Sequence, residues 1–351
     1  MGKQYKVTAL PGEGIGPEVV ASALQVLEHV AKLERFELDI QIGIIGNEAF
    51  KQTGNYFPAE TANLCRDSDG ILFGSVEKGG LLELRKEFDF FCNLRPVRAY
   101  EPILSRSSLK SHHLVGLDIL FIRELVSGIY FGEAKRGTDQ VGSYGFHTMK
   151  YYDEEIRRIA RVALTKASER RGVLTVAHKE NALPLIPWGE IVLEESLKFS
   201  TVRVHPMLVD NLAMQLVMNP SKFDVILAGN LFGDILSDIG GALVGSIGLL
   251  ASASLNKDGF GMYEAIHGTA PDIAGKDIAN PLGTIGAVEL MLRQWGLEKA
   301  ADRLYLAQQH VINQGFRTPD IKTTFTETSV GTAIFTQAII DSLHQQYSIT
   351  V

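Results

Sequence analysis

Tyr5-Lys6-Val7-Thr8-Ala9-Leu10 reads as a strand, and Pro11-Gly12-Glu13-Gly14-Ile15-Gly16-Pro17-Glu18 follows it without a break. An apolar-periodic helix then runs from about Pro17 to Leu33. Proline in a first helical turn with an acidic neighbour fits the rules for a helix start. A strand, a glycine turn and a helix in that order open an α/β chain. Gly12-x-Gly14-x-Gly16 also invites a dinucleotide-binding reading. That fingerprint needs Gly-x-Gly-x-x-Gly and an acidic residue ending the next strand. Here the third glycine comes one residue early and precedes Pro17, so a tight turn is the better reading than a phosphate cradle.

Further along, Phe36 to Ile45 alternates as a strand, and Gly70 to Gly74, Leu114 to Ile122 and Gly128 to Gly132 are strand candidates. Helices are expected at about Asp153–Arg171, Trp188–Lys198 and Val209–Met218. Strands are expected at Val173–His178 and Asp224–Leu227, with a mostly helical C-terminal third. Strands alternating with helices of ten or more residues specify an α/β architecture. The 351 residues suggest two domains. No repeat or Pro-rich linker separates them, so two domains would share core or be crossed more than once by the chain.

Composition narrows the function. There are 34 Lys plus Arg against 41 Asp plus Glu, a net charge of −7, which argues against nucleic acid as the main partner. The basic cluster around Lys166, Arg170 and Arg171 reads as a solvated helix end. Cys65 and Cys92 make no disulfide framework and suit a reducing compartment. The N-terminus carries no apolar core of signal-peptide length, and no stretch reaches the ~18 apolar residues that span a bilayer. A soluble, cytoplasmic protein is expected. The 34 glycines are in excess, which signals tight turns or backbone close to a ligand.

Candidate chemistry begins with Val225–Asn256, whose only charges are Asp234 and Asp238. Four apart on a helix, both carboxylates share one face, where they repel and are costly to desolvate. A hard divalent cation, Mg²⁺ or Mn²⁺, compensates them most simply, while a cap and a turn residue are the plainer alternative. Asp210 opens another apolar helix and alone suits the helix dipole. Arg85, Arg95 and Arg123 each lie in or beside apolar sequence, where an unpaired guanidinium is expensive. They could clamp the carboxylates of a diacid, or pair internally with glutamates. Lys179 ends a strand, where α/β proteins place catalytic groups, though an ordinary exposed lysine fits too. Tyr130 is a strand aromatic or a proton donor. His267-Gly268-Thr269-Ala270-Pro271-Asp272-Ile273-Ala274-Gly275-Lys276 is a loop that lets backbone approach a ligand, with Asp272 placed for a ribose diol.

Four segments taken together resemble the β-decarboxylating hydroxyacid dehydrogenases of the isocitrate/isopropylmalate type. They are Leu94-Arg95-Pro96, Gly128-Ile129-Tyr130-Phe131-Gly132, Gly229 to Asp238 and His267 to Lys276. The likeness runs almost end to end, from Leu10-Pro11-Gly12 to Ala279-Asn280-Pro281. It implies a non-Rossmann α/β fold of two domains: a discontinuous cofactor domain (1–99 and 250–351) and a second domain (100–249) for dimerisation, metal and substrate. It implies that Arg85, Arg95 and Arg123 bind substrate carboxylates, that Tyr130 and Lys179 are the acid–base pair, and that Asp210, Asp234 and Asp238 hold Mg²⁺ or Mn²⁺. Asn181, Glu264, His267, Gly268, Ala270, Asp272 and Asn280 would contact the cofactor. A carboxylate at Asp272 suits a 2′-hydroxyl and repels a 2′-phosphate, hence NAD. The family is homodimeric, with Lys179 and Asp210 supplied across the dimer.

The resemblance also bears on the substrate. Leu81 and Leu82 suit an apolar 3-substituent where isocitrate enzymes carry Ser and Asn, and Arg123-Glu124-Leu125 follows the isopropylmalate pattern. Oxidative decarboxylation of 3-isopropylmalate, a step of leucine biosynthesis, is therefore expected. Three departures open an alternative. The loop Gly74–Gly80 is shortened, Lys78 replaces the family's nicotinamide-contacting Glu unless Glu77 shifts into its place, and Ala182 replaces a Val at the alkyl group. The last removes roughly 1.5 kcal/mol of burial and leaves room, so a bulkier malate such as 3-benzylmalate is the second reading. An inactive regulatory paralogue and a metal-dependent lyase without redox chemistry are the readings from other classes.

Overall fold

The computed structural model describes residues 3–324, 327 and 329–349. The chain opens with β1 (Gln4–Gly12), α1 (Gly16–Glu34), β2 (Glu37–Ile42), α2 (Gly46–Thr53), α3 (Ala59–Arg66), β3 (Gly70–Ser75), α4 (Leu81–Glu87) and β4 (Cys92–Arg98). The middle carries β5 (Asp118–Glu124), a hairpin β6–β7 (Ala134–Thr138, Ser143–His147), α5 (Asp153–Ser168), β8 (Val173–His178), α6 (Trp188–Ser196), β9 (Arg203–Leu208), α7 (Val209–Met218), β10 (Val225–Ala228) and α8 (Asn230–Val244). It ends with β11 (Ala251–Leu255), β12 (Gly261–Ala265), α9 (Leu282–Gln294), α10 (Glu298–Asn313) and α11 (Thr332–Ile349).

Ten strands form one sheet in the order β2-β1-β3-β12-β11-β4-β5-β10-β8-β9. Pairs β1–β2, β1–β3, β3–β12 and β5–β10, β10–β8, β8–β9 are parallel, whereas β12–β11, β11–β4 and β4–β5 are antiparallel. Strands β3 and β10 lie inside the parallel parts of the sheet and are buried on both faces, which is why they read as continuous apolar runs. Strands from residues 1–99 and 250–351 fill one side of the sheet and those from 100–249 the other. They meet at β4 and β5, paired from Cys92↔Glu124 to Arg98↔Asp118, so the sheet runs unbroken through that line.

Side-chain alternation decides what each face carries. On one face Val7, Ala9, Leu72 and Tyr263 pack with α1 and α9. On the other Leu10, Ile71, Phe73 and Met262 pack with Ala62, Cys65 and Leu84 of α3 and α4. That second face also carries a polar stripe. Register pairs Ser252 with Glu264, Ser254 with Asn93 and Asn93 with Arg123, and period two puts Arg95 on the same side.

The strand expected at Gly128–Gly132 is instead a 3₁₀ turn, Gly128–Tyr130. Gly128 has φ +76°, and a Cβ there would meet the Tyr151 hydroxyl at 2.2 Å. A Cβ on Gly132 would meet the Thr148 carbonyl at 1.8 Å, so two close approaches bend the segment out of a ladder. The first strand of the middle segment begins at Asp118 rather than Leu114, after a 3₁₀ turn at Ser111–His113. Both cysteines are free and buried, and burial pushes each thiol up to about 12, which leaves them inert. Among the described residues no helix is long and apolar enough to cross a membrane.

The glycine turn that opens the chain is a packing device. Gly12 and Gly14 have φ of +67° and +62°, and Cβ atoms on them would lie 2.0 Å from the Ser75 carbonyl and 1.9 Å from the Thr269 carbonyl. The Ile15 N–H donates to that Thr269 carbonyl at 2.9 Å, which ties the turn to the loop after β12. Gly14→Ala is expected to cost about 2 kcal/mol or more in denaturant unfolding, because left-handed strain and a backbone clash add. A change below about 0.5 kcal/mol would show that the loop yields freely.

Candidate active site

Three guanidinium groups converge on the polar stripe. Arg95 projects from β4, Arg123 from β5 and Arg85 from α4, with only 6%, 3% and 8% of their surfaces exposed. Helix α4 is capped by Gly80, whose N–H donates to Glu83 Oε2 at 2.8 Å, and this turn aims Arg85 inward. Arg85 Nη2 meets Glu264 Oε1 at 3.1 Å in a buried ion pair. Arg123 donates through Nε and Nη2 to Asn230 Oδ1 and through Nη1 to Asp234. Arg95 donates to Asn93 Oδ1 and Ser237 Oγ, both at 2.7 Å.

Helix α8 lies across these groups because its sequence allows it. A Cβ on Gly233 would stand 2.6 Å from Arg123 Cγ, so glycine lets the helix rest on the arginine stem. Its first turn is set by Tyr151, whose hydroxyl accepts the Asn230 N–H at 2.9 Å. Asp234 and Asp238 then face the cluster together: Arg95 Nη1 is 3.6 Å from an oxygen of each. The Tyr130 hydroxyl donates to Asp234 Oδ2 at 3.0 Å from its 3₁₀ turn. Partial burial and Asp234 both raise the Tyr130 pKa, so the phenol keeps its proton at neutral pH. For Asp238, burial and then Asp234 raise the carboxyl against the pull of Arg95.

Lys179 and Asp210 form a second centre. Lys179 follows the end of β8, and its Nζ donates to Asp210 Oδ1 in the first turn of α7 at 2.5 Å. That contact lowers the Asp210 pKa. Among the described residues no hydrogen bond or ion pair links this couple to the arginine–aspartate cluster, and no three His, Cys, Asp or Glu side chains gather as a metal site within one chain. Asn181 and Ala182 lie exposed in the same loop, where Lys179 O accepts the N–H groups of Ala182 and Leu183.

Beside the cluster, Leu81 and Leu82 open α4 and line a groove with Val76 and Phe131. Glu77 and Lys78 are both exposed at its rim, and the Glu77 N–H donates to Glu13 Oε2. The loop after β12 holds the remaining candidates. His267 Nδ1 lies 3.0 Å from the Gly268 carbonyl, and its buried Nε2 has no partner. Gly268 faces open space, Ala270 has φ +39°, and Asp272 is exposed. The Asn280 side chain is already engaged, donating to Asp320 Oδ2 and accepting the Leu282 N–H, each at 3.0 Å.

With this geometry in view, comparison with known proteins is decisive. Residues 6–339 match the family model for isocitrate/isopropylmalate dehydrogenase. The chain belongs to that family. It is 43% identical to the 3-isopropylmalate dehydrogenase of Aquifex aeolicus, covering 98% of each chain. To the enzyme of that name from Methylococcus capsulatus it is 44% identical, covering 96% of this chain and 98% of the relative. The solved isocitrate dehydrogenase of Methylococcus capsulatus superposes with a TM-score of 0.88 at 30% identity, over 97% of this chain and all of that one. The protein is thus a β-decarboxylating dehydrogenase of α/β fold.

Several residues that organise this family member's site carry weak sequence signals. Asn93, Asn230, Ser237 and Tyr151 are ordinary polar residues whose partners lie far away in sequence. Glu124 is another: fully buried beside Arg123, it accepts the N–H groups of Val126 at 3.0 Å and Ser127 at 2.9 Å, shaping the turn towards Tyr130. Burial pushes its carboxyl up to about 7. The folded pKa exceeds the unfolded value of 4.5, so the folded protein holds an extra proton between those limits and loses stability as pH rises across them. Relative to Glu124→Gln, the wild type should therefore lose on the order of 3 kcal/mol between pH 4.5 and 7.5, measured by denaturant unfolding. Parallel stability curves for the two proteins would refute the assignment.

Proposed function

We propose that the chain catalyses the NAD-dependent, divalent-cation-dependent oxidative decarboxylation of 3-isopropylmalate to 2-oxo-4-methylpentanoate, in a cytoplasmic pathway to leucine. The observation that carries this reading is the convergence of three buried arginines with two carboxylates and a phenol on one sheet face. Three such cations call for a dianionic ligand, and a malate bears two carboxylates. Arg85, Arg95 and Arg123 are the groups that would hold it.

The donor sets fit the groups the family implies. Asp234 and Asp238 offer hard oxygens from one helix face, suited to Mg²⁺ or Mn²⁺, with Asp210 of the partner subunit as the third. The orphaned His267 Nε2, the open backbone at Gly268 and the exposed Asp272 suit NAD, with Glu264, Ala270 and Asn280 in the same stretch of chain and Asn181 supplied, like Lys179, across the dimer. When bound, the cation would polarise the C2 oxygen and NAD⁺ would accept the hydride from C2. The protein's own part is proton management. Lys179 of the partner subunit, acting as the neutral amine, takes the proton of the C2 hydroxyl. Carbon dioxide leaves from C3, and Tyr130, protonated at neutral pH and held by Asp234, returns a proton to that carbon.

The groove of Val76, Leu81, Leu82 and Phe131 supports an aliphatic 3-substituent over a third carboxylate. So does the higher identity to curated isopropylmalate enzymes than to the solved isocitrate enzyme. A homodimer is supported by exposed Met214, Val217 and Met218 on α7, Ile235 on α8 and Leu185 in the loop after Lys179, all apolar. It is also supported by the separation of Lys179–Asp210 from the arginine cluster. The two halves of the sheet are read as two domains, 1–99 with 250–351 and 100–249.

NADH should form from 3-isopropylmalate, cease with EDTA and return with Mg²⁺ or Mn²⁺. Its kcat/KM should exceed that for 3-benzylmalate by about tenfold or more, and a reversed order would move the assignment to the bulkier acid. Sharing of the site has its own test. Lys179→Ala and Asp234→Asn homodimers should both be inactive, while their mixture after subunit exchange recovers about a quarter of wild-type activity, because each heterodimer keeps one intact site. No recovery despite verified exchange would place all the groups within one chain.

A further inference from the structure

The three arginines are not held alike. Arg85 has a buried carboxylate partner, Glu264. Arg95 has none within hydrogen-bond distance: its Nε edge rests on Asn93 and its Nη1 on Ser237, and the nearest carboxylate oxygens, on Asp234 and Asp238, are 3.6 Å away. Asn93 is fully buried two residues before Arg95 on the same strand face. Its amide has a fixed sense, because Nδ2 donates to Ser252 Oγ at 2.7 Å, Ser254 Oγ at 3.1 Å and the Ala253 carbonyl at 3.3 Å, leaving Oδ1 for Arg95.

We infer that Asn93, locked by Ser252 and Ser254 of β11, is a positioning residue that holds the Nε edge of Arg95 for a substrate carboxylate without adding a negative charge to those 3.6 Å away on Asp234 and Asp238. The inference rests on the proposed reading of Arg95 as a substrate ligand. A neutral oxygen at Nε fixes the plane of the guanidinium as firmly as a carboxylate would, yet cancels none of its charge. A buried, oriented cation with no carboxylate hydrogen-bonded to it takes an incoming one with little reorganisation, whereas a directly hydrogen-bonded ion pair must first give up its partner.

Asn93→Asp is nearly isosteric, and the two serine hydroxyls can turn to donate to a carboxylate, so the variant places one negative charge on Arg95 with little change of shape. The expected result is a KM for 3-isopropylmalate raised about tenfold or more, with kcat reduced no more than about threefold and the KM for NAD unchanged. A purely structural Asn93 would instead lower the melting temperature and kcat together and leave the substrate KM alone, and that outcome overturns the inference. If Asn93→Asp does not fold, Ser252→Ala/Ser254→Ala decides: releasing the amide should raise the same KM about threefold, and an unchanged KM refutes the role. Arg95→Gln separates the two levels. An unchanged KM there would defeat the reading of Arg95 itself, whereas a raised KM with an unaffected Asn93→Asp defeats only the positioning role.

Discussion

A buried guanidinium without a full ionic partner is expensive, and this fold gathers three arginines within reach of one another. The arrangement depends on the antiparallel seam between β4 and β5. Pairing Asn93 with Arg123 fixes which face each strand turns to the site, and the two-residue period then commits Arg95 to it. A one-residue slip of β4 would send Arg95 to the face packed by α9 and bring Leu94 in its place. The neighbours obey the same constraint: Ser252, Ser254 and Glu264 are polar where sheet cores are otherwise apolar, because they serve the arginines. Gly233 is bare because α8 must lie on an arginine stem.

The seam also explains how one sheet serves two segments of chain. The block β2-β1-β3-β12-β11-β4 and the block β5-β10-β8-β9 meet where the arginines stand, so the cluster draws its groups from both sides of the line. Arg85 and Glu264 belong to the first, and Arg123, Tyr130 and the α8 carboxylates to the second. Lys179 and Asp210 stand apart at the far edge of the sheet, just after β8 and in the first turn of α7, where they neutralise each other. On the proposed reading, a lysine that ends in a carboxylate of its own chain makes sense as a base because the couple faces the site of a second subunit.

How much of this can be read from the sequence follows from how local each signal is. The α/β class, most helices and the alternating strands are written in apolar periodicity, and Asp234 and Asp238 show themselves because four residues make one helix face. The Gly12–Gly16 turn is legible as a turn for the same reason, and its contact with Thr269 bears that out. Gly128–Gly132 misleads because alternating Ile129 and Phe131 imitate a strand, while the cause of the bend, Tyr151, lies outside the window. Asn93 stays silent because a buried amide looks like any other until β11 is placed beside it. Lys179 and Asp210 are 31 residues apart, and nothing local joins them. The order of the strands and the discontinuity of the first segment are accessible only through resemblance to a family.

Charge balance joins these features into one argument about binding. Within a chain the cluster sets Arg85, Arg95 and Arg123 against Glu264, Asp234 and Asp238, three positive groups against three negative. On the proposed reading a malate dianion enters on the arginine side and a dication on the aspartate side. Either alone would leave two uncompensated charges at a half-buried cluster, which its lowered dielectric penalises. Together they restore neutrality. Asp234 is the pivot, since it holds both Arg123 and the Tyr130 hydroxyl. A carboxylate arriving at Arg123 competes for that guanidinium and frees Asp234 oxygens for a cation, so the two ligands favour each other through one shared residue.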